Sequence, residues 1–344
     1  MSSTVPGRTP TMRDVAAHAA VSPMTVSRTL RGDPRVSPEM RERVLAAVEA
    51  LRYRRNDLAR GLRTGRSSGL LGLVITNLSN PFYSELALGV ESIASAAGMR
   101  VVIGNTGGDL ERERLLVDDM ASRRVDGIIV VPAGHDHSHL DPDALHGLPV
   151  VLATRPPSGL DVDCVVVDDF GGSRRATAAL VAQGHRRIGF LGLGRSVWTG
   201  AERLRGHCAA LEEAGLPVDD ALLRSVPADP GAAEAVALEL LSRDDPPTAL
   251  FAANNRNTVG AYRAIAETGS AAALAGFDDV PLADLFAAPI DVVTYDTGEV
   301  GRRAAELLLE RIEGEEPPAH PRLVTIGTTL KRYRPLGAPH PSGG

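Results

Sequence analysis

The sequence predicts an α/β protein: an N-terminal all-α helix-turn-helix head, then a two-lobed body of two parallel, doubly wound sheets. Three observations carry this. The chain has 344 residues, which suits two or three units better than one. Its first 66 residues hold 13 Arg against six acidic residues, a charge of +7, while the remainder is −13, giving −6 overall. A basic head on an acidic body points to a polyanion-binding module joined to something else. From Gly69 onward, continuous apolar runs of β type alternate with helical runs. That alternation predicts parallel sheets covered on both faces.

The head reads as three short helices. Thr11 is an N-cap with Asp14 three residues on, opening Met12–Ala19. Ser22-Pro23 is an N-cap followed by proline at the first helical position, and the helix runs to about Leu30. Ser37-Pro38-Glu39 repeats the signal and opens Pro38–Leu51, where Met40, Val44, Ala47, Val48 and Leu51 recur at helical spacing. Only Ala20-Val21 separates the first two helices, so the set forms a helix-turn-helix unit. In such a unit the second helix enters the major groove by its N-terminal end. Pro23, Met24 and Arg28 then face base edges, Arg28 being able to bond guanine in bidentate fashion. Ser22, Thr25 and Ser27 sit where phosphates are held. A three-helix protein-interaction domain is the competing reading of this segment.

In the body, strands are expected at Leu70–Thr76, Arg100–Asn105, Gly127–Pro132, Pro149–Thr154, Cys164–Asp168, Ile188–Leu193, Thr248–Ala253, Ala273–Phe277 and Asp291–Tyr295. Helices fall between them, among others at Tyr83–Ala97, Glu111–Arg123, Gly171–Gln183, Ala201–Ala214 and Thr258–Thr268. Nine or more strands suit two sheets better than one. Ligands of open α/β sheets bind beyond the carboxyl ends of the strands, which directs attention to the residues just after each strand.

Composition excludes several classes. The longest apolar runs, such as Gly69–Ile75, fall far short of the ~18 residues of a membrane span. The N-terminus shows no apolar signal region, and Cys164 and Cys208 make no disulfide framework. A cytoplasmic location is expected, with no membrane partner.

The stretch from Met12 to Ser67 contains D-V-A-x-x-A-x-V-S-x-x-T-V-S-R-x-L, from Asp14 to Leu30. On this long motif the chain resembles the lactose-repressor/galactose-repressor family of transcription regulators, and the likeness continues to about Tyr333. The resemblance implies that Asn56–Arg63 (NDLARGLR) is a hinge helix that folds on operator DNA. Leu62 would be the apolar wedge in the minor groove, and Asn56 would lie on the DNA. Gly61 stands where the family often has a small helix-former, at a propensity cost of about 1 kcal/mol. The organisation implied is a head over 11–55 and a hinge and linker over 56–66. A body over 67–334 and a disordered tail over 335–344 follow. The body resembles periplasmic sugar-binding proteins, with a first lobe over 67–167 and 292–321 and a second over 168–291 and 322–334. Crossings between lobes are expected near Asp168, Asp291 and Arg322. The first lobe then regains Gly298–Glu313 as a helix, and the second regains Leu323–Leu330 as a strand.

The resemblance also marks a ligand cleft. Thr76-Asn77-Leu78-Ser79-Asn80-Pro81-Phe82-Tyr83 matches the family's S-N-P-F-[FY] loop, so Phe82 and Tyr83 form an aromatic platform over the effector. The chain has only 12 aromatic residues, so an adjacent pair in a loop is notable. Arg203 in A-E-R-L-R-G matches the arginine that bonds effector hydroxyls or carboxylates. Asn254 matches the cleft asparagine, and Asp278 in G-F-D-D matches the carboxylate that accepts from sugar hydroxyls. Asp279 more often has a structural role, and Asp168 suits either cleft or crossover. Trp198, the only tryptophan, suits stacking on a sugar ring or a lid or interface role. The sequence departs from the family at Asn254-Asn255, where Asn-Asp is usual. It also departs at Thr154, where an acidic acceptor is usual, and at the short segment Gly269–Ala275. The implied partners are double-stranded operator DNA, a sugar-like effector and a second copy of the chain. No leucine-heptad tail is visible, which favours a dimer over a tetramer.

Other motifs carry less. Gly65-Arg66-Ser67-Ser68-Gly69 fits G-x-S-x-G but follows a helix in a basic linker, not a strand. Gly192-x-Gly194 is half a dinucleotide fingerprint. His135, His137 and His139 alternate in a polar stretch that reads as a solvated loop, not a metal site. No nucleophile, base and orienting group occur together, so catalysis, a cofactor and a metal have no support. A transport-system binding protein shares the body's pattern but not the basic head.

Overall fold

The computed structural model describes residues 10–30, 32–53, 67–314 and 320–335. Asn56, Leu62 and the rest of the expected hinge helix lie outside the described residues. The chain divides into two compact units at Ser68/Gly69.

The head contains α1 (Met12–His18), α2 (Pro23–Thr29) and α3 (Pro38–Ala50). Each start signal works through its own side chain. Thr11 and Asp14 form a reciprocal capping box, with Thr11 N–H donating to Asp14 Oδ2 at 2.7 Å. Ser22 Oγ accepts from Thr25 N–H at 3.1 Å, and Ser37 Oγ accepts from Met40 N–H at 3.3 Å. Such caps each contribute roughly 1 kcal/mol. Val15, Ala16, Ala19, Val26, Val44 and Ala47 form the core. Arg43 Nη2 donates to Ala19 O at 2.6 Å, tying α3 to the turn between α1 and α2. Met40, which shares the helical spacing, is exposed; it lies in the first turn of α3, ahead of the buried stripe that begins at Val44.

The body is built on two six-stranded sheets. The first has the order β11-β5-β4-β3-β1-β2, all parallel, from β1 (Leu70–Ile75), β2 (Arg100–Asn105), β3 (Gly127–Val130), β4 (Val150–Ala153), β5 (Asp163–Val167) and β11 (Leu323–Ile326). The second has the order β12-β10-β9-β8-β6-β7. It comprises β6 (Ile188–Gly192), β7 (Leu223–Ser225), β8 (Ala249–Ala252), β9 (Ala273–Phe277), β10 (Ile290–Thr294) and the antiparallel edge strand β12 (Thr329–Tyr333). The central strands β3, β4, β5, β6 and β8 are buried throughout their length, as sheets covered on both faces require.

The helices are α4 (Pro81–Ala96), α5 (Leu110–Ser122), α6 (Asp169–Ala182), α7 (Trp198–Glu213), α8 (Pro230–Leu241), α9 (Asn255–Thr268) and α10 (Thr297–Glu313). They pack in pairs: α4 with α10, α6 with α7, α8 with α9. All three crossings depend on absent side chains. A Cβ at Gly301 would lie 2.1 Å from Leu86 O, one at Gly206 would lie 2.3 Å from Phe170 O, and one at Gly260 would lie 2.2 Å from Pro230 O.

Two boundaries differ from expectation. Val292–Thr294 stay in the second sheet as part of β10, so the chain returns to the first lobe after Tyr295, not near Asp291. The stretch Leu323–Leu330 is not one strand of the second lobe. Leu323–Ile326 pairs with β5 in the first sheet, and only Thr329–Tyr333 joins β10. Gly327-Thr328 makes the crossing, and without that break the apolar pattern reads as continuous. Asp163 fixes this arrangement. Its buried carboxylate accepts from Arg311 Nε at 2.9 Å, from Arg322 N–H at 2.7 Å and from Arg322 Nη2 at 2.8 Å. It therefore joins α10 and the approach to β11 to the sheet edge. Burial alone would raise this carboxyl; the hydrogen bonds from Arg311 and Arg322 outweigh it and bring it down to about 2. Among the described residues no helix is long and apolar enough to cross a membrane.

Candidate functional site

In the head, α2 divides into two faces. Val26 and Thr29 are buried against the core. Ser22, Pro23, Met24 and Arg28 are exposed, with Met24 at 59%; Thr25 and Ser27 are half-buried at the border. Ser22 Oγ also bonds Thr25 Oγ1 at 2.9 Å. The outer face of α2 thus presents hydroxyls and a large apolar side chain in its first turn and the Arg28 guanidinium in its last.

In the body, the carboxyl ends of both sheets converge on a second site. Arg203, in the second turn of α7, is only 7% exposed. Its Nε donates to Asp169 Oδ1 at 2.6 Å, and Nη1 donates to Ala253 O at 2.7 Å. Nη1 and Nη2 each donate to one oxygen of Asp278 at 3.1 Å. The guanidinium carbon lies 3.7 Å from the centre of the Phe277 ring. Asp278 follows β9 and has φ +63°, a strained conformation for a residue with a Cβ. Its Oδ1 also accepts from Tyr295 Oη at 2.7 Å. Burial raises the Asp169 carboxyl to about 7, against the pull of Arg203. Burial and the neighbouring Asp278 likewise raise the Tyr295 hydroxyl.

Phe82 and Tyr83 stand in the first turn of α4, edge to face at 4.9 Å. Thr76 Oγ1 donates to Tyr83 Oη at 2.5 Å. Phe82 lies 6.4 Å from Tyr295, which brings the aromatic pair of the first lobe to the Arg203–Asp278–Tyr295 cluster. Asn254 is the N-cap of α9, its Oδ1 accepting from Asn257 N–H at 2.9 Å. Trp198, half-buried in the first turn of α7, packs against the apolar cluster of the first lobe that includes Val74, Leu140 and Leu152. It bridges the lobes. Asp168 caps α6 by accepting from Gly171 N–H at 2.9 Å, and Asp279 Oδ1 accepts from Tyr333 Oη at 2.5 Å.

Sequence reasoning missed Asp169, Tyr295 and the Asn80–Asn255 pair, in which Asn255 Nδ2 donates to Asn80 Oδ1 at 2.8 Å. It also missed Asn257. Several buried polar atoms have no partner within the described residues: Asp169 Oδ2, Asn254 Nδ2, Asn255 Oδ1 and both amide atoms of Asn257. Buried polar atoms are rarely left so. Acceptors and donors are both among them, which suits hydroxyl groups, since a hydroxyl both donates and accepts.

The histidine stretch is corrected. His137 is 4% exposed, with Nδ1 accepting from Ser158 N–H at 3.1 Å and Nε2 bonded to Gly134 O at 3.0 Å. His139 Nε2 bonds Glu113 Oε1 at 3.1 Å, and Glu113 is fully buried. His137 and His139 are therefore packed, and only His135 of the three is exposed as a solvated loop would have it. Among the described residues no three His, Cys, Asp or Glu side chains are placed to hold a metal.

Comparison with known proteins places these geometries. Residues 11–56 match the family model described as bacterial regulatory proteins, lacI family. Residues 68–333 match that of periplasmic binding proteins and the sugar binding domain of the LacI family. The chain is 33% identical to the HTH-type transcriptional regulator GalS of Salmonella typhimurium over 88% of its own length and 90% of that protein. It is 34% identical to the regulator CelR of Thermobifida fusca, over 90% and 93%. A solved CelR–cellobiose complex superposes with a TM-score of 0.68 at 31% identity, covering 94% of this chain and 98% of that one. A lac repressor dimer bound to operator and an anti-inducer gives a TM-score of 0.81 at 25% identity, over 96% and 100%. These relatives are transcriptional regulators, not enzymes. With both units matched in sequence and in fold, the chain belongs to the LacI family of bacterial regulatory proteins.

Proposed function

We propose that the protein is a cytoplasmic, sequence-specific repressor that binds a near-palindromic operator as a homodimer and responds to a small neutral sugar in the interlobe cleft. The two-faced α2 is the observation that carries the DNA-binding half. Val26 and Thr29 anchor the helix, while Pro23, Met24 and Arg28 read base edges and Ser22, Thr25 and Ser27 hold phosphates. Asn56 and Leu62 add the hinge contacts that the family resemblance implies. Apolar side chains left exposed on the first lobe (Leu78, Leu88, Val102, Ile103, Leu115) and on the second (Leu282, Leu285) support pairing of two copies.

The charge inventory of the cleft favours a neutral effector. Arg203 is already engaged by two carboxylates, so its guanidinium has no uncommitted charge to offer a phosphate or a carboxylate. Arg203 organises Asp169 and Asp278; those carboxylates, with Asn254, accept and donate to hydroxyls. Phe82, Tyr83, Tyr295 and Trp198 supply apolar faces for a sugar ring. The ligand must bind one closure state better than the other to alter DNA affinity.

Arg28→Ala is expected to lower operator affinity by about 1–3 kcal/mol and to relax preference at one base position. Gel-shift titration over single-position operator variants checks it. Equal weakening on every sequence, including random duplex, would contradict base readout by Arg28.

A further inference from the structure

Asn80 and Asn255 meet across the cleft. Asn80 caps α4 in the first lobe and Asn255 opens α9 in the second. They are 8% and 4% exposed. The backbone sets the orientation of the Asn80 amide, and Asn80 in turn sets that of Asn255. Asn80 Oδ1 accepts from Phe82 N–H at 3.2 Å, so the oxygen of Asn80 points toward the first turn of α4. The group that faces this oxygen from the other lobe must then be a donor, and Asn255 Nδ2 fills that role at 2.8 Å. An aspartate at 255 has no N–H to give. It would set a charged oxygen against Asn80 Oδ1 in a buried place, where unpaired acceptors are costly. The reverse exchange behaves differently: an aspartate at 80 still accepts from Asn255 and remains a good N-cap.

We propose that Asn255 is a positioning residue that clasps the two lobes and sets how far the cleft is closed before any effector arrives. It rests on the proposed cleft function only in taking the lobes to move, and it makes no claim about which ligand binds. Asparagine at 255 thereby biases this chain toward the arrangement in which the two lobes meet, by a neutral amide–amide bond.

The lobes can be followed without a label. Trp198 is the only tryptophan, sits on the second lobe and packs on the first. Its emission and its quenching by acrylamide therefore report lobe separation. The full-length protein, with no sugar added, is compared with Asn255→Asp and Asn80→Asp. Loss of one net hydrogen bond shifts the open-to-closed ratio about fivefold. Asn255→Asp is expected to show red-shifted emission and stronger quenching, and Asn80→Asp to match the parent. Should Asn255→Asp not regain the parent's circular dichroism, Asn255→Ala, which removes the donor without adding charge, carries the same expectation. Parent-like quenching in a folded Asn255 variant overturns the proposal, and so does an equal change in Asn80→Asp. Since no ligand is used, a failed effector assignment leaves this result standing, and the converse also holds.

Discussion

Replacing Arg203 with methionine is expected to destabilise the body by about 3–5 kcal/mol, the range seen when one partner of a buried ion pair is removed. Methionine keeps much of the volume and the contact with the Phe277 ring. It leaves Asp169 and Asp278, both buried, without the guanidinium that satisfies three of their oxygen contacts. The loss depends on pH with a definite sign. A carboxyl whose folded value is raised binds its proton more tightly in the folded state, so stability falls as pH rises through that folded value. The Asp169 carboxyl is already raised to about 7 with Arg203 present, and removing the cation raises it further. The deficit of Arg203→Met in urea denaturation is therefore expected to be smaller at pH 5 than at pH 8. A deficit independent of pH would mean that packing, not charge, is what the substitution removes. Any neutral sugar that raises the parent's melting temperature is expected to lose that effect in this variant.

Asp163→Asn is expected to lower stability by about 2 kcal/mol at neutral pH, as a single carboxylate lowered by nearly two pKa units contributes. The carboxylate is buried under Arg311 and Arg322 and is held at about 2 against an ordinary 3.8. A depressed carboxyl contributes above its unfolded value and loses that contribution as pH falls through its folded one. The gap between parent and variant is therefore expected to be full above pH 4 and to close toward pH 2. Urea titrations at pH 7, 4 and 2.5 check this; a constant gap would place the effect outside ionisation. The position matters because this carboxylate gathers α10 and the start of β11, the two segments that return to the first sheet after the chain has left it.

How far the sequence was legible follows the range of the interactions involved. The helices of the head announce themselves because their caps are local: Thr11, Ser22 and Ser37 each bond a backbone N–H three residues on. The helix α8 gives a fainter signal: Asp229-Pro230 is a cap followed by proline, but its alanine-rich sequence has little polar contrast between faces. The crossing after β5 was legible at Asp168 because a cap begins there. The last one was misplaced because a single Gly327 is a weak break in a run of β-formers.

In the cleft, Phe82, Arg203 and Asp278 were legible only through motif resemblance, and the structure brings them to one place. Asp169 and Tyr295 were not, because their partners lie 34 and 17 residues away and no local spacing reveals such a contact. The oddity at Asn255 was visible, but its meaning depended on Asn80, 175 residues distant.

The most direct test of the central claim is selection of duplexes from a random library by the purified full-length protein at about 0.15 M salt, where nonspecific phosphate contacts are weakened. Titration of the selected sequence with and without neutral sugars follows. The account predicts enrichment of one two-fold symmetric sequence, bound about a thousandfold or more tighter than random duplex, with at least one uncharged sugar changing that affinity. Equal binding to all duplexes, or a response confined to phosphorylated or carboxylated ligands, would contradict it.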